Sequence, residues 1–354
     1  MKKMVKIIAV SIALVMTFGV LAACESSDSN SSGANNDGNA SVSLGGAVNI
    51  YDTPIKISVI SISTAGVVSK LYQDAMLEQA SLYPNVKLDF KDSEYNPNKQ
   101  ITLIEEAITQ GYNAIILEAM DPVATNEAIE QAERAGIPVL TVNGAQPSAL
   151  HSMNIAGAPY FAGWESARLL DEMTRGQPDR TCIILDAPAA LKISANMGTG
   201  FQEYIEQKTD IRLLEPAIGI DNFLAENAQT AMRDMLTKYG PGEITMVYCA
   251  SDDFAVGALN AIDQAGRTGE ILMFGMMGYP PGLEAVRDGR MTGTMFNDTY
   301  TQSAYLFYNA LYFISTGLTA YTAGYKVTPR IEMPLFPVTA DNVDFMIAIS
   351  RYGV

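Results

Sequence analysis

Residues 110–143 read QGYNAIILEAMDPVATNEAIEQAERAGIPVLTVN, and this stretch decides the fold. The run 113–118 is short, apolar and rich in β-branched side chains, which predicts a buried strand rather than a helix. Four alanines recur at helical spacing over residues 124–135, which predicts a helix that lies against a sheet until Gly136 ends it. A second apolar run, 137–142, completes a β-α-β unit whose strands are expected to be parallel.

The loops of this unit are candidates for ligand contact. Asp121 and Pro122 follow the first strand and are typical of a helix start, because Asp accepts from free amides and Pro needs no donor there. Ligands of open parallel sheets bind beyond the carboxyl ends of the strands. We therefore expect a ligand near residues 118–121 and 143–146.

Strand and helix patterns alternate along the rest of the chain as well, which indicates an α/β fold with doubly wound parallel sheets. The length of 354 residues and the repetition of the pattern predict two such lobes, with a cleft between them for a small molecule. Strands are expected at 55–60, 86–90, 113–118, 137–142, 181–185, 211–217, 245–249, 271–274 and 293–296, with one last strand in an irregular tail from Lys326.

The N-terminus predicts export and a lipid anchor. Residues 1–6 are basic and residues 7–20 are continuously apolar, a pattern typical of a signal peptide and too short to span a bilayer. The next residues, Leu21-Ala-Ala-Cys24, resemble the lipobox of bacterial lipoproteins. That resemblance implies a signal peptide over residues 1–23 and lipidation of Cys24; the alternative is a plain secretory signal with an incidental cysteine. Residues 24–54 are expected to form a disordered tether, since they contain few large side chains.

The charge excludes one class of partner. The formal net charge is −16, and removal of residues 1–23 deletes three lysines and no acidic residue, which changes it to −19. A chain this acidic repels nucleic acid, so we expect no nucleic-acid partner.

Two other features predict packing rather than function. Cys182 and Cys249 lie in predicted strands, where we expect buried free thiols rather than a disulfide. The helix predicted at 301–315 carries an aromatic cluster whose spacing predicts core packing rather than a binding platform. The cluster consists of Tyr305, Phe307, Tyr308, Tyr312 and Phe313.

Several stretches, taken together, resemble the type I periplasmic binding proteins of the ribose and galactose class, which share their fold with the effector domains of lactose-repressor-like regulators. The matching stretches are residues 110–117 with Asp121-Pro122, 135–139, 251–259 with 264–266, and 284–290 before Gly293-Thr294.

The resemblance implies two lobes joined by a three-segment hinge near residues 156–158, 297–298 and 326–329. The N-terminal lobe would then comprise residues 55–156 and 298–326. The C-terminal lobe would comprise residues 157–297 and 327–354.

The resemblance also locates ligand positions, and at most of them this sequence departs from the family. The family's stacked aromatic residues after the first strand are replaced by Thr64 and its neighbours, and an aspartate-arginine pair is replaced by Asn143-Gly144. An asparagine has become Ser251, an aspartate has become Met277, and a glutamine has become Asn297. Charged sugar contacts are thus neutralised, so we expect a neutral sugar-like or polyol ligand.

The predicted ligand-binding residues combine small polar groups with apolar or aromatic surface. For each residue the alternative is a loop side chain that faces water, and for Asp252 it is a helix N-cap. The set is Ser63, Thr64, Tyr95, Asn143, Met197, Ser251, Asp252, Met277 and Asn297.

Catalytic chemistry is not expected. His151 is the single histidine, and the sequence contains no metal-ligand spacing, glycine-rich phosphate loop or nucleophile elbow. We therefore predict neither an enzyme nor a metal or cofactor.

The function predicted from these features is an extracytoplasmic, lipid-anchored, monomeric solute-binding protein that delivers its ligand to an ABC permease in the membrane. The alternative is a ligand-sensing protein that signals to a membrane sensor kinase or chemoreceptor. A DNA-binding regulator is not expected, because the chain carries a secretion signal ahead of the shared fold.

Overall fold

The computed structural model describes residues 48–121, 123–142, 147–188 and 195–352. The predicted signal peptide, Cys24, most of the predicted tether, Pro122 and the loop that contains Asn143 lie outside these described residues.

Strands and helices alternate along most of the described chain, as predicted, although three pairs of strands follow one another with no described helix between them. In chain order they are β1 (Ile55–Ser61), α1 (Val67–Ala80), β2 (Val86–Asp92), α2 (Pro97–Thr109), β3 (Ala114–Leu117), α3 (Asn126–Arg134), β4 (Val139–Val142), β5 (Met153–Gly157), α4 (Pro159–Met173), β6 (Thr181–Asp186), α5 (Ala195–Lys208), β7 (Arg212–Leu213), β8 (Ile218–Gly219), a 3₁₀ turn (Asp221–Phe223), α6 (Ala225–Lys238), β9 (Met246–Cys249), α7 (Asp252–Gln264), β10 (Leu272–Phe274), α8 (Pro280–Arg287), β11 (Gly293–Phe296), α9 (Thr299–Thr316), β12 (Arg330–Met333), β13 (Phe336–Thr339) and α10 (Val343–Ser350).

The first lobe is built on a parallel sheet with the strand order β12-β5-β4-β3-β1-β2. Successive side chains of β1 point to opposite faces, so both faces must be covered. Ile57 packs with residues of α1 and α9 on one face. Ile60 packs with Ile104 of α2 and Ile129 of α3 on the other. Helices on both faces make this a doubly wound lobe.

The second lobe repeats the plan on a sheet with the order β13-β11-β10-β9-β6-β7, in which β8 also pairs with β6. Val247 of β9 packs toward α6 and α7. Tyr248, its neighbour, stacks on Phe201 of α5 with the ring centroids 4.1 Å apart. Strand β13 is antiparallel to β11 and closes one edge. The predicted α/β fold with two doubly wound lobes is confirmed.

The chain passes between the two sheets after β5, after β11 and between β12 and β13. The last passage differs from the expectation at residues 326–329, because Arg330 of β12 pairs with Asn154 of β5 in the first sheet. An edge strand with free backbone groups favours such pairing. The tail therefore contains two strands, one in each sheet, followed by the unpredicted helix α10.

Two predicted elements also have different bounds. Helix α3 begins at Asn126 rather than directly after Asp121, whose carboxylate accepts from the amides of Val123 (2.8 Å) and Ala124 (3.0 Å) in a separate turn. The strand predicted at 211–217 is two short strands, β7 and β8, which pair with different parts of β6.

Of the features predicted to pack in the interior, the two cysteines are buried, whereas the aromatic cluster of α9 is buried only in part. Cys182 and Cys249 are buried free thiols, as predicted. On α9, Phe307 and Phe313 are buried, but the three tyrosines of the cluster are between 40% and 54% exposed. The prediction of core packing is therefore wrong for the tyrosines, because they occupy the outer face of the helix.

Candidate ligand-binding cleft

A cavity of about 650 Å³ lies between the lobes, where the carboxyl ends of both sets of strands meet. Its volume is in the range of small-molecule binding sites. The first lobe contributes the loops after β1, β2 and β3, and the second lobe contributes the 3₁₀ turn and the residues that follow β9, β10 and β11. Strand ends converge here because all strands of both sheets except β13 run parallel.

The structure brings most of the predicted residues together in this cavity. Thr64 is not among the lining residues, because its amide and hydroxyl donate to the Asp92 carboxylate at 3.1 and 2.6 Å. Asn143 lies outside the described residues. The predicted residues that line the cavity are Ser63, Tyr95, Met197, Ser251, Met277 and Asn297.

Asp252 stands behind the cavity wall rather than in it. Its side chain is fully buried and accepts from the Thr294 hydroxyl and the Tyr279 amide, both at 2.7 Å. Burial raises the pKa of this carboxyl to about 8. Asp252 thus joins the start of α7 to the two neighbouring strand ends, a structural role rather than the predicted ligand contact. The N-cap is Ser251, whose Oγ accepts from the Asp253 amide at 3.2 Å.

Asn297 lines the cavity after β11, where the chain passes between the sheets for the second time. Its side-chain amide already has a hydrogen-bond partner. Gln302 donates to Asn297 Oδ1 at 2.5 Å, and Tyr72 in turn donates to the Gln302 side chain. At the first passage, a Cβ on Gly157 would come within 2.5 Å of Leu335, which belongs to the third passage. The three passages therefore pack tightly against one another at the floor of the cleft.

An aromatic pair bridges the two lobes. Tyr95 follows β2 of the first sheet, and Phe223 ends the 3₁₀ turn of the second lobe. Their rings stack with the centroids 6.5 Å apart and the planes inclined by 10°, and both residues have a φ of 54°. Non-glycine residues rarely adopt this backbone conformation. Phe223 was not predicted as a lining residue, because the sequence pattern starts the next helix at residue 222 and so places Phe223 inside that helix.

Two acidic residues of the lining were not among the predicted ligand-binding residues, although a ligand was expected near residues 118–121. Glu118 directly follows β3, and Asp253 lies in the first turn of α7. Burial raises the pKa of Glu118 to about 7, and it also raises the pKa of Asp253. The end of the predicted strand at Glu118 gave a signal for the first residue. Asp253 had no such signal, because its neighbour Asp252 was the residue predicted to contact the ligand at the start of this helix.

His151, the single histidine of the sequence, has its hydrogen-bond partners within the protein. His151 is buried, with Nδ1 2.8 Å from the Ala149 carbonyl and Nε2 2.9 Å from the Thr141 hydroxyl. A carbonyl can only accept, so Nδ1 carries the proton and the ring is a structural group. Among the described residues no three His, Cys, Asp or Glu side chains are grouped to hold a metal ion. None of the described helices has the length and apolar character needed to cross a bilayer.

Comparison with known proteins finds the same class of molecule. A xylitol-binding protein of Mycolicibacterium smegmatis is 27% identical over 268 residues, which cover 74% of this chain and 71% of that protein. A ribose import binding protein of Bacillus subtilis is 24% identical over 293 residues, covering 81% and 87%.

Solved structures agree in fold. A crystal structure of an ABC transporter solute-binding protein from Bacillus halodurans with bound myo-inositol superposes with a TM-score of 0.72 at 21% identity, covering 84% of this chain and 98% of that one. The family model described as periplasmic binding protein domain matches residues 60–317, well over half of the chain. The chain therefore belongs to the periplasmic binding protein family, of the type I class, whose members bind substrates rather than transform them.

Proposed function

We propose that this protein is the extracytoplasmic solute-binding component of an ABC importer and that it binds a small sugar-like or polyol solute in the interlobe cleft. The observation that carries the proposal is the cavity at the meeting point of the strand ends of two lobes. The relatives named for xylitol and ribose, and the neighbour with bound myo-inositol, support a polyhydroxylated ligand.

Binding proceeds by hinge closure. A ligand that touches both walls stabilises the closed arrangement, and the population of closed molecules rises by the difference in affinity. The three passages are short and adjacent, so they can act as one hinge. The Tyr95–Phe223 stack lies where the walls approach each other, which places it among the first contacts to change. The closed form is what the permease recognises.

The protein acts as a monomer held at the membrane by lipid on Cys24, with residues 24–54 as its tether. Replacement of Cys24 by Ala is expected to release the protein from membranes into the soluble fraction. Retention of the Ala variant in the membrane would contradict the anchor while leaving the binding function open to the next test.

Thermal-shift measurements with xylitol, D-ribose and myo-inositol test the binding function, because a ligand of the native state raises the melting temperature by mass action. Ser251→Trp places a large side chain in the cavity and is expected to abolish the shift. Thr102→Trp, on the exposed face of α2, is the matched control and should keep it. Binding retained by the Ser251 variant would mean that the ligand lies elsewhere.

A further inference from the structure

Two carboxylates of the cavity, Glu118 and Asp253, have no basic partner among the residues that the structure describes. Glu118 accepts one hydrogen bond, from the Ile62 amide at 3.2 Å. Asp253 accepts none among the described residues, although its position in the first turn of α7 favours the ionised form. The two residues belong to different lobes, Glu118 to the first and Asp253 to the second.

The other two acidic residues of the lining are already satisfied. Asp92 accepts from the amides of Thr64 and Glu94 and from the Thr64 hydroxyl, which lowers its pKa. Glu94 is exposed and forms an ion pair with Lys99 at 2.7 Å. Of the four acidic residues in the described lining, Glu118 and Asp253 are therefore the two without a cation or a set of hydrogen-bond donors.

Among the lining residues that the structure describes there is no Lys, Arg or His. A part-buried carboxylate without a cation or a set of donors is unfavourable, because it has lost water and gained no partner. The pKa values of Glu118 and Asp253 are raised because burial removes water from the charged form of each carboxyl group. A ligand with a positive charge would supply the missing partner.

Tyr279 gives an independent indication of a ligand. Its side chain lines the cavity and is only 3% exposed, yet its hydroxyl has no hydrogen-bond partner among the described residues. A hydroxyl in a cavity lining that has no partner in the protein remains available as a donor and an acceptor for a bound molecule. In the filled cavity, this group would bond to a hydroxyl of the solute.

We propose that the solute is a polyol that carries a protonated amine, with its ammonium group between Glu118 and Asp253 and a hydroxyl on Tyr279. This inference rests on the proposed function and narrows its ligand class. A cation that contacts carboxylates of opposite lobes also couples binding to closure, because one ligand group then stabilises the arrangement in which both walls reach it. The net charge of −16 attracts such a solute toward the molecule.

Matched pairs of aminated and neutral polyols test the proposal by isothermal titration calorimetry at pH 7.5 and low salt. The probes are serinol against glycerol, 1-amino-1-deoxy-D-sorbitol against D-sorbitol, and D-glucosamine against D-glucose and N-acetyl-D-glucosamine. We expect at least one amine to bind at least tenfold more tightly than its neutral partners. Glu118→Gln and Asp253→Asn keep the side-chain shape, and each is expected to weaken amine binding at least tenfold.

Glu172→Gln is the matched control, because Glu172 lies on α4 outside the cavity lining and its charge is already paired with Arg168 at 2.6 Å. The amine affinity of this variant should change less than twofold. Circular dichroism melting curves check that each variant is folded.

Neutral polyols that bind as tightly as the amines, or Gln and Asn variants that keep amine binding, would overturn the amine proposal and leave the solute-binding function standing. Absence of binding by every probe, xylitol, D-ribose and myo-inositol included, would overturn both.

Discussion

Asp252 and Asp253 are neighbours in the chain, yet they lie in opposite environments on the two sides of one cavity wall. Asp252, behind the wall, receives hydrogen bonds from Thr294 and Tyr279. Asp253, on the cavity side, has neither a donor nor a cation among the described residues. Burial of a carboxyl group therefore does not by itself show whether the group has a structural role or a ligand-binding role. The difference lies in whether the protein itself supplies the partners of the buried group.

Removal of the Asp252 side chain should have the largest effect on stability. Asp252→Ala leaves two buried donors without an acceptor, so the free energy of unfolding is expected to fall by about 2–4 kcal/mol. Urea denaturation followed by circular dichroism measures the change. Asp253→Ala is the matched comparison and should cost less than about 1 kcal/mol while it weakens amine binding. Equal losses in the two variants would break the distinction between the two sides of the wall.

The second prediction concerns pH. The pKa of Asp252 is raised from 3.8 to about 8 in the folded protein. Between these values the native state holds one proton more than the unfolded state, so stability is highest at low pH and falls as pH rises, by up to about 1.4 kcal/mol per pH unit. Glu118, whose pKa is raised from 4.5 to about 7, also lowers stability as pH rises, but over a narrower pH range.

Urea denaturation at pH 5, 6, 7 and 8 measures this slope. Asp252→Asn, which cannot ionise, is expected to flatten it, whereas Glu94→Gln should leave it unchanged. Parallel pH profiles for the parent and the Asn variant would show that Asp252 does not titrate in this range.

The third prediction concerns the aromatic pair between the lobes. Phe223→Ala removes the stack with Tyr95, and aromatic pairs contribute about 0.5–1.5 kcal/mol beyond their buried area. We therefore expect about a threefold to tenfold loss of solute affinity in calorimetry. Phe161→Ala is the control, since Phe161 is 66% exposed on α4 and contacts Tyr160 within its own helix. An unchanged affinity for the Phe223 variant would remove the pair from the binding mechanism.

The smallest effect is expected from loss of the Arg351 contacts. Arg351, after α10, pairs with Glu78 of α1 at 3.6 Å and lies 4.2 Å from the Tyr300 ring, so it links the lobes. Exposed ion pairs contribute about 0.2–1 kcal/mol. Arg351→Ala should destabilise the protein by no more than that, and should broaden the interlobe distances seen by electron-electron double resonance.

Arg134→Ala is the matched control for this experiment. Arg134 pairs with Glu130 and lies 4.3 Å from the Tyr321 ring, the same chemistry placed within the first lobe. Its loss should leave the interlobe distances unchanged. Identical broadening in both variants would mean that Arg351 does not couple the lobes.

The sequence predicted the location of the site better than its chemistry. Ser63, Ser251 and Met277 follow strands, and the carboxyl ends of parallel strands meet at one edge, so these residues converge in the cavity. The sequence did not single out Glu118 or Asp253 as lining residues, because no local pattern reports which acidic residues lack a partner. The last passage between the lobes was misplaced for a related reason. The sequence predicted one strand in the tail, whereas Arg330–Met333 and Phe336–Thr339 form two, and no local pattern reports which sheet each strand joins.

By itself, the sequence determined the alternation of strands and helices, the two lobes and the edge at which a solute would bind, because hydrophobic periodicity and chain punctuation are local properties. Only the tertiary structure decided which of two adjacent aspartates faces the cavity. Successive residues of a helix point about 100° apart, so Asp252 turns toward Thr294 and Tyr279 while Asp253 turns toward the cleft. Partners brought from distant parts of the chain determine what each carboxylate does.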